Sequence, residues 1–202
     1  MTERPPVRIL RLPGGEDSPA HGLPALLTAY HLRTEDEKGL HVSDPAALPH
    51  RYLSEIRSPA TVFADDLVLI ARLGGRPAGC AILTAPGPDG HAEMKRLWTT
   101  PECRGAGVAS ALIGESLAAA EESGVRTLRL TVWSWREGAI ALYRRHGFAV
   151  AASWDERPGL VCMERPVPDG ARPVHAAADT SGTWPVGSQP QNRRTARRAD
   201  EE

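Results

Sequence analysis

The chain has few of the features that mark a disulfide-stabilised, metal-binding or membrane-spanning protein. Its 202 residues include only three cysteines, Cys80, Cys103 and Cys162, which are far apart and form no Cys-x-x-Cys pair. This usage fits neither a disulfide framework nor a zinc site, so we expect a cytoplasmic protein with no metal. No apolar run approaches the ~20 residues of a membrane span, and the first residues contain no apolar signal core, so no membrane contact is expected.

Net charge is also nearly absent. The 24 basic and 25 acidic residues give a formal charge of -1, so no global field attracts nucleic acid. Hydrophobic residues make up 41% of the chain, which is enough for one good core rather than two. We predict one domain over residues 1–166 and a disordered tail over 167–202, where Pro, Gly, Ser, Gln and Arg replace the large aliphatic residues.

Apolar periodicity predicts the element order β-α-α-β-β-β-α-β-α-β-β. Strands are expected at 7–12, 67–73, 77–84, 91–99, 125–132, 148–154 and 160–165. Helices are expected around Leu23, around Tyr52, over 107–122, and from a capping box of Ser134 and Glu137 through His146. The polar segment 34–49 is predicted to be a binding loop or a mobile loop.

The most informative stretch is TPECRGAGVAS, residues 100–110, between a strand-like and a helix-like run. An arginine and two closely spaced glycines before a helix can turn several N–H groups toward one point, which suits a diphosphate. A dinucleotide motif is disfavoured because the next strand ends without a carboxylate, and no Gly-Lys-Ser/Thr follows for a Walker loop. From the loop alone, a plain glycine turn stays open as the alternative.

Two more segments accompany this loop, EMKRLWT at 93–99 and AIALYRRHGF at 139–148. In this order and spacing, the three segments resemble the GNAT superfamily of acetyl-CoA-dependent N-acetyltransferases. The resemblance implies an α+β fold of three layers, with helices flanking a mixed, mostly antiparallel sheet. It also implies acetyl-CoA as cosubstrate and direct transfer of the acetyl group to an amine in a ternary complex. A homodimer is compatible with the resemblance, although the sequence shows no self-complementary patch.

The resemblance assigns roles to individual positions. Tyr143 matches the tyrosine that hydrogen-bonds or protonates the departing thiolate. Leu97 and Thr99 match strand positions whose backbone pairs with pantetheine and orients the thioester. Arg136 stands where an asparagine often contacts CoA, and that contact is not carried over. The positions that match the diphosphate-binding loop are Arg104, Gly105, Ala106, Gly107, Val108 and Ala109.

The acceptor side is less defined by the sequence. Glu93 is the candidate general base, acting through a water, and an exposed strand carboxylate is the alternative interpretation. Cys103 has no obvious base nearby, so a covalent acetyl-enzyme is disfavoured. Trp135 and Asp155 are predicted to contact a cationic amine. The sequence does not name the acceptor, which could be a small molecule or a protein amine, and a catalytically inactive CoA-binding domain is the alternative function.

Overall fold

The computed structural model describes residues 5–168, so only Val167 and Pro168 of the predicted tail are included. The predicted start of the tail at 167 is wrong, because the Val167 side chain is buried in an apolar core and its N–H donates to the Arg126 carbonyl at 2.9 Å. The strands form one sheet in the order β1-β2-β3-β4-β5-β7-β6. All neighbouring strands are antiparallel except β4 and β5, which are parallel. The strands are β1 (Val7–Pro13), β2 (Leu67–Leu73), β3 (Arg76–Leu83), β4 (His91–Thr99), β5 (Thr127–Trp133), β6 (Ala149–Val150) and β7 (Leu160–Pro166).

Helices cover both faces of the sheet. They are α1 (Leu23–Glu37), α2 (His50–Arg57), α3 (Pro59–Val62), α4 (Val108–Glu122) and α5 (Glu137–Arg145). The predicted order of elements is confirmed, with the four-residue α3 as an addition. None of these helices has both the length and the apolar character that a bilayer span demands.

Two apolar cores hold the three layers together. On one face, Val108, Leu112 and Ile113 of α4 pack with sheet residues such as Leu128. On the other face, Leu23 and Leu27 of α1 belong to a second cluster that includes β2 and β3 residues. Strands β2 and β3 are buried on both sides, which explains why both are rich in apolar residues. The predicted three-layer α+β fold is therefore confirmed.

The segment expected to be a polar loop from residue 34 is partly helical. Helix α1 continues to Glu37, and Thr34 and Glu35 are buried. The polar side chains here have partners: Thr34 Oγ1 accepts a hydrogen bond from Arg136, and Glu35 pairs with Lys38 at 2.6 Å. Tertiary pairing, which a single segment does not reveal, stabilises this last turn.

The predicted capping box at Ser134 is wrong. Helix α5 begins at Glu137, and its N-cap residue, Arg136, makes no side-chain cap. The Ser134 N–H instead donates to the Gly159 carbonyl at 2.8 Å, which ties this turn to the loop before β7. The strand predicted over 148–154 is also shorter than expected, because only Ala149–Val150 pairs with β7.

A bulge in β4 reverses the faces of that strand. Ala92 and Met94 join the core under α4, whereas Trp98 joins the core under α1. The register with β3 shifts between these points, and Arg96 has φ 53°, a left-handed conformation that is unusual for a residue with a side chain. One inserted residue moves every later side chain to the opposite face. Glu93, which alternates with Ala92 and Met94, therefore faces the α1 side.

Candidate active site

A cleft opens where the two parallel strands stop pairing. The pairing between β4 and β5 ends at Glu93 and Arg129, whereas β5 pairs with β7 along its whole length. The two strands separate beyond this point and leave a cleft of about 1310 Å³. The cleft is bordered by the loop before α4, by α1, α2 and α5, and by the loop before β7.

Almost all of the residues predicted from the sequence meet in this cleft. Ala106 is the exception, because its N–H donates to the Cys103 carbonyl at 3.3 Å and its side chain packs against the core under α4. The predicted residues that line the cleft are Glu93, Leu97, Thr99, Arg104, Gly105, Gly107, Val108, Ala109, Trp135, Tyr143 and Asp155.

Two glycines shape the loop before α4. Gly105 has φ 72° and Gly107 has φ 84°, a region that side-chain-bearing residues rarely adopt. A Cβ placed on either glycine would meet no heavy atom within 4 Å. The glycines are therefore required for backbone conformation rather than for packing, and they leave open space beside the chain.

The start of α4 presents backbone donors to this open space. The first bond of the helix runs from the Ala111 N–H to the Gly107 carbonyl at 2.9 Å. The N–H groups of Val108, Ala109 and Ser110 precede it, no side chain caps the helix, and these groups have no acceptor within residues 5–168. Free N–H groups at a helix N-terminus favour an anion, and the helix dipole adds to that attraction. This geometry fits the diphosphate of CoA.

Tyr143, on α5, lies at the wall of the cleft. Its residue exposure is only 6%, and its ring packs edge-on against Phe148 with 5.9 Å between centroids. Burial raises the pKa of Tyr143 well above its ordinary value; the Tyr30 phenol adds to this effect and Arg136 opposes it. The phenol hydroxyl is therefore protonated at neutral pH, and it has no hydrogen-bond partner in the described part of the chain.

Arg136 connects α5 to α1 rather than extending freely into the cleft. Its Nε donates to Glu37 at 2.6 Å and its Nη2 donates to Thr34 at 2.8 Å. Trp135 Nε1 also donates to Glu37, at 3.3 Å. Burial raises the pKa of Glu37, but the hydrogen bond and charge of Arg136 outweigh this and lower it overall. These contacts fix the position of the helix that carries Tyr143.

A buried ionic network supports the strand at the bulge. Arg96 donates from Nε and Nη2 to the two carboxylate oxygens of Glu55, at 2.8 and 2.6 Å. His31 Nε2 lies 2.9 Å from the same carboxylate, and its ring stacks on Tyr52 at 4.0 Å. Burial alone would raise the pKa of Glu55, but the hydrogen bonds from Arg96 and His31 lower it to about 2. Burial lowers the pKa of His31 in spite of Glu55.

Glu93 lies on the α1 side of β4, below the bulge. Its carboxylate is 3.2 Å from Lys95 Nζ, and 31% of its side chain is exposed. The Glu93 N–H is held by Thr84 Oγ1 at 2.8 Å, which fixes the backbone at this position. The carboxylate is therefore within the cleft and accessible to water, as a base that works through a water molecule requires.

Aromatic and basic side chains form the wall of the cleft at the end away from the glycine loop. We call this end the acceptor end and define it by Lys38, Arg51, Tyr52, Trp133 and Arg157. Trp133 stacks on Trp135, with ring centroids 4.6 Å apart. Lys38 Nζ lies 5.3 Å from the Trp133 centroid and 6.0 Å from that of Tyr52.

Asp155 also lines this end, but it already holds a cation. Arg157 donates from Nε and Nη2 to the Asp155 carboxylate, at distances down to 2.6 Å. The hydrogen bonds of Arg157 lower the pKa of Asp155 to about 2. The charge of Asp155 is thus matched within its own loop.

The cysteines behave as small core residues, apart from Cys103. Cys80 and Cys162 are buried, and burial raises the pKa of Cys80 to about 12. Cys103 lines the cleft, where its thiol makes no hydrogen bond to any described residue. No group of three His, Cys, Asp or Glu side chains within residues 5–168 is arranged to hold a metal.

Sequence reasoning missed several residues of this site. Tyr30 and Tyr52 are part of helical apolar stripes, and the pattern gave no sign that both also line the cleft. Glu55 and Arg96, 41 residues apart, have no local signal at all, because their roles depend on a tertiary ion pair. The bulge that brings Arg96 into position is equally absent from the pattern of β4.

Comparisons with known proteins bear on the family and the fold of the chain. The family model described as "Acetyltransferase (GNAT) family" matches residues 28–148. An IAA acetyltransferase of Azospirillum brasilense is 32% identical over 85 residues, which cover 42% of this chain and 56% of that relative. The chain therefore spans little more than half the length of this curated relative.

Solved structures extend the likeness of fold to most of the chain. An acetyltransferase of the GNAT family from Staphylococcus aureus is 10% identical, with a TM-score of 0.60, covering 81% of this chain and 100% of that one. The PaiA N-acetyltransferase from Thermoplasma acidophilum, crystallised with coenzyme A, is 19% identical with a TM-score of 0.57, covering 80% and 99%. The family model matches more than half of the residues of this chain. The chain therefore belongs to the GNAT family of acetyltransferases.

Proposed function

We propose that this protein transfers the acetyl group of acetyl-CoA to a primary amine. The observation that carries the proposal is the start of α4 after the glycine loop, where the N–H groups of Val108, Ala109 and Ser110 open onto the cleft between β4 and β5. The coenzyme A in the Thermoplasma structure supports the choice of cosubstrate. Free thiols at Cys80, Cys103 and Cys162 agree with a reducing compartment such as the cytoplasm.

In this proposal the loop binds the diphosphate of the cosubstrate. The N–H groups of Val108 and Ala109 donate to phosphate oxygens, and the Arg104 guanidinium adds positive charge at the same end. Leu97 and Thr99, on the part of β4 beyond its pairing with β5, supply backbone groups to the pantetheine arm. The cosubstrate contributes a thioester, which the unprotonated nitrogen of the acceptor attacks to form a C–N bond as the C–S bond breaks.

Tyr143 stabilises the sulfur that departs. A thiolate with a pKa of about 8.5 is a weaker base than a buried phenolate, so complete proton transfer from Tyr143 is uphill. A hydrogen bond from the phenol to the developing negative charge lowers the barrier without that transfer. Tyr143 therefore acts as an electrostatic donor, and solvent supplies the final proton.

Glu93 assists the acceptor. A lysine-like amine with a pKa of about 10.4 costs roughly 4 to 5 kcal/mol to deprotonate at neutral pH, whereas an α-amino group near 7.7 costs about 1. Glu93 accepts this proton through a water molecule and passes it to solvent, which its partial exposure allows. Trp135 and Asp155 border the path of the acceptor amine in the same proposal.

Transfer is direct rather than through Cys103. The thiol has no ion pair or hydrogen bond that would stabilise a thiolate within the described chain. Cys103→Ser should leave turnover intact. Abolished turnover together with a trapped acetylated cysteine would show a two-step mechanism instead.

A thiol-release assay tests the proposed function. The full-length protein is incubated with acetyl-CoA and a panel of peptides, polyamines, amino acids and aminoglycosides. Release of CoA that depends on one class of amine, with the acetylated amine found by mass spectrometry, supports acetyl transfer. Binding of acetyl-CoA without turnover of any amine would instead favour an inactive CoA-binding domain. The homodimer stays a prediction from the family resemblance.

A further inference from the structure

The charge balance of the cleft separates one arginine from the rest. Most cationic side chains that line the cleft already pair with a carboxylate: Arg33, Lys38, Lys95, Arg96, Arg136 and Arg157. Three lining arginines make no ion pair with a carboxylate of residues 5–168: Arg51, Arg104 and Arg145. A cation left without an internal partner at a binding cleft is available to an anionic ligand.

These three arginines lie at different parts of the cleft. Arg104 opens the glycine loop, where the proposed function already assigns a diphosphate. Arg145 ends α5, the helix that carries Tyr143. Arg51 is on α2, at the acceptor end, and only this one is near the site of the incoming amine.

Arg51 is held in place by an aromatic ring rather than by a carboxylate. Its Nη2 donates to the Tyr52 hydroxyl at 2.7 Å, and its guanidinium lies 4.6 Å from the Tyr52 ring centroid. Tyr52 is itself fixed by stacking on the buried His31. The guanidinium is exposed yet oriented, with donors left over for a second partner.

The neighbouring groups leave the positive charge of Arg51 unmatched. Lys38, over the Trp133 ring, pairs with Glu35, and Arg157 pairs with Asp155. The carboxylates that could receive a cation at the acceptor end are thus already occupied, whereas Arg51 is not. A purely cationic amine meets net repulsion here, but an amine that also carries a negative group does not.

We propose that the acceptor is a small amine that carries an oxyanion, a carboxylate or a phosphonate, and that the Arg51 guanidinium binds this oxyanion. The inference rests on the proposed acetyl transfer, for which it names the class of acceptor. Arg51 acts on binding of the acceptor, not on the bond-making step. The aromatic rings of Tyr52 and Trp133 contact the remaining part of the molecule.

The test compares acids with their neutral counterparts. Amino acids, aminophosphonic acids and the matching amino acid amides are assayed for thiol release with wild-type protein, Arg51→Gln and the control Arg57→Gln. Arg57 lies on the same helix and is exposed, but it does not line the cleft. We expect wild-type kcat/KM to be at least tenfold higher for acids than for amides. Arg51→Gln should abolish most of that ratio, and Arg57→Gln should keep it.

A binding measurement tests the role of Arg51 independently of turnover. Quenching of tryptophan emission is measured with N-acetyl amino acids and N-acetyl amino acid amides as probes, because Trp133 and Trp135 line the cleft. Tighter binding of the acids to wild type, lost in Arg51→Gln, supports the inference even if no tested amine is acetylated. Equal binding of acids and amides, or no binding of any acid, overturns it. Failure of acetyl-CoA to bind would be a separate result, against the proposed function itself.

The two acid panels identify the anion. Preference for amino acids over aminophosphonic acids assigns a carboxylate, and the reverse preference assigns a phosphonate. If Arg51→Gln leaves acid and amide turnover in the wild-type ratio, the oxyanion is not bound at this arginine and the inference fails.

Discussion

Glu55 on α2 and Arg96 on β4 form a two-point ion pair beneath the cleft, with distances of 2.8 and 2.6 Å. The pair anchors a residue whose φ of 53° is in the left-handed region, a conformation that costs on the order of 1 to 3 kcal/mol. It therefore stabilises the bulge that reverses the faces of β4. Through this bulge, a contact between two distant segments positions the strand that borders the proposed thioester site.

Replacing Glu55 should destabilise the protein strongly. Glu55→Gln leaves the partly buried Arg96 charge without a counter-ion, and loss of one partner of a buried pair costs up to about 3 to 5 kcal/mol. Urea unfolding followed by circular dichroism measures the change. The control is Glu164→Gln, which breaks the half-exposed pair with Arg129 and should cost less than about 1 kcal/mol. Equal losses in the two variants would show that the Glu55 pair has no special role.

Stability should fall in acid in two stages. Burial lowers the pKa of His31, so the folded protein favours the neutral imidazole. The contribution of His31 to the free energy of unfolding is therefore complete above about pH 6.5 and begins to be lost below that value. Glu55 has a pKa of about 2 in the folded protein against about 4.3 in an unfolded chain, so its contribution, roughly 3 kcal/mol, is lost between these values. Unfolding free energies measured across this range test both stages. Asp155 and Glu37 also have lowered pKa values and contribute to the slope below pH 4, so this slope should become shallower in Glu55→Gln without vanishing. An equal slope in wild type and Glu55→Gln would contradict the assignment to Glu55.

Tyr143→Phe should lower kcat at least tenfold with little change in the KM for acetyl-CoA, because only the hydrogen bond to the departing sulfur is lost. The ring contact with Phe148 is kept, so the melting temperature should stay close to that of the wild type. Since burial raises the pKa of Tyr143, the wild-type rate should not decline through its ionisation below about pH 10. Steady-state kinetics and a pH profile provide the data, and a variant with unchanged kcat refutes the role.

Glu93→Gln should reduce kcat/KM most for acceptors with a high pKa. Such amines are protonated at neutral pH and depend on a base, whereas weakly basic amines do not. The comparison needs two acceptors of similar size and different pKa, and Glu102→Gln as a control outside the cleft. A uniform loss for both acceptors would indicate that Glu93 has only a structural role.

Local signals were sufficient for most of the fold and for the cosubstrate end of the site. The glycines at 105 and 107 form a loop that leads directly into the predicted helix, and the structure adds that both have a positive φ. The predicted bounds of β4 match the structure, and the predicted helix over 107–122 differs from α4 by one residue at its start. These features depend on residues close in sequence, which is why a pattern can predict them.

The acceptor end could not be predicted in the same way. Thr34 and Glu37 are polar and suggest a loop, but Arg136, about a hundred residues away, holds them in a helix. The capping-box prediction failed because Ser134 belongs to a turn in which its N–H donates to the Gly159 carbonyl. The helix begins only at Glu137. Burial of charge across distant elements determines this region, and no local pattern records such partners.

Titration calorimetry with CoA and with pantetheine, which lacks both the diphosphate and the adenosine part of CoA, tests the central claim most directly when it is combined with a variant of the loop. The proposed loop geometry predicts that CoA binds at least a hundredfold more tightly than pantetheine. Gly107→Ala should weaken CoA binding about tenfold because the loop must leave its φ of 84°. Gly75→Ala, at a matching φ of 81° in a distant hairpin turn, should leave CoA binding unchanged. No heat with CoA, or equal affinities for CoA and pantetheine, would contradict the account.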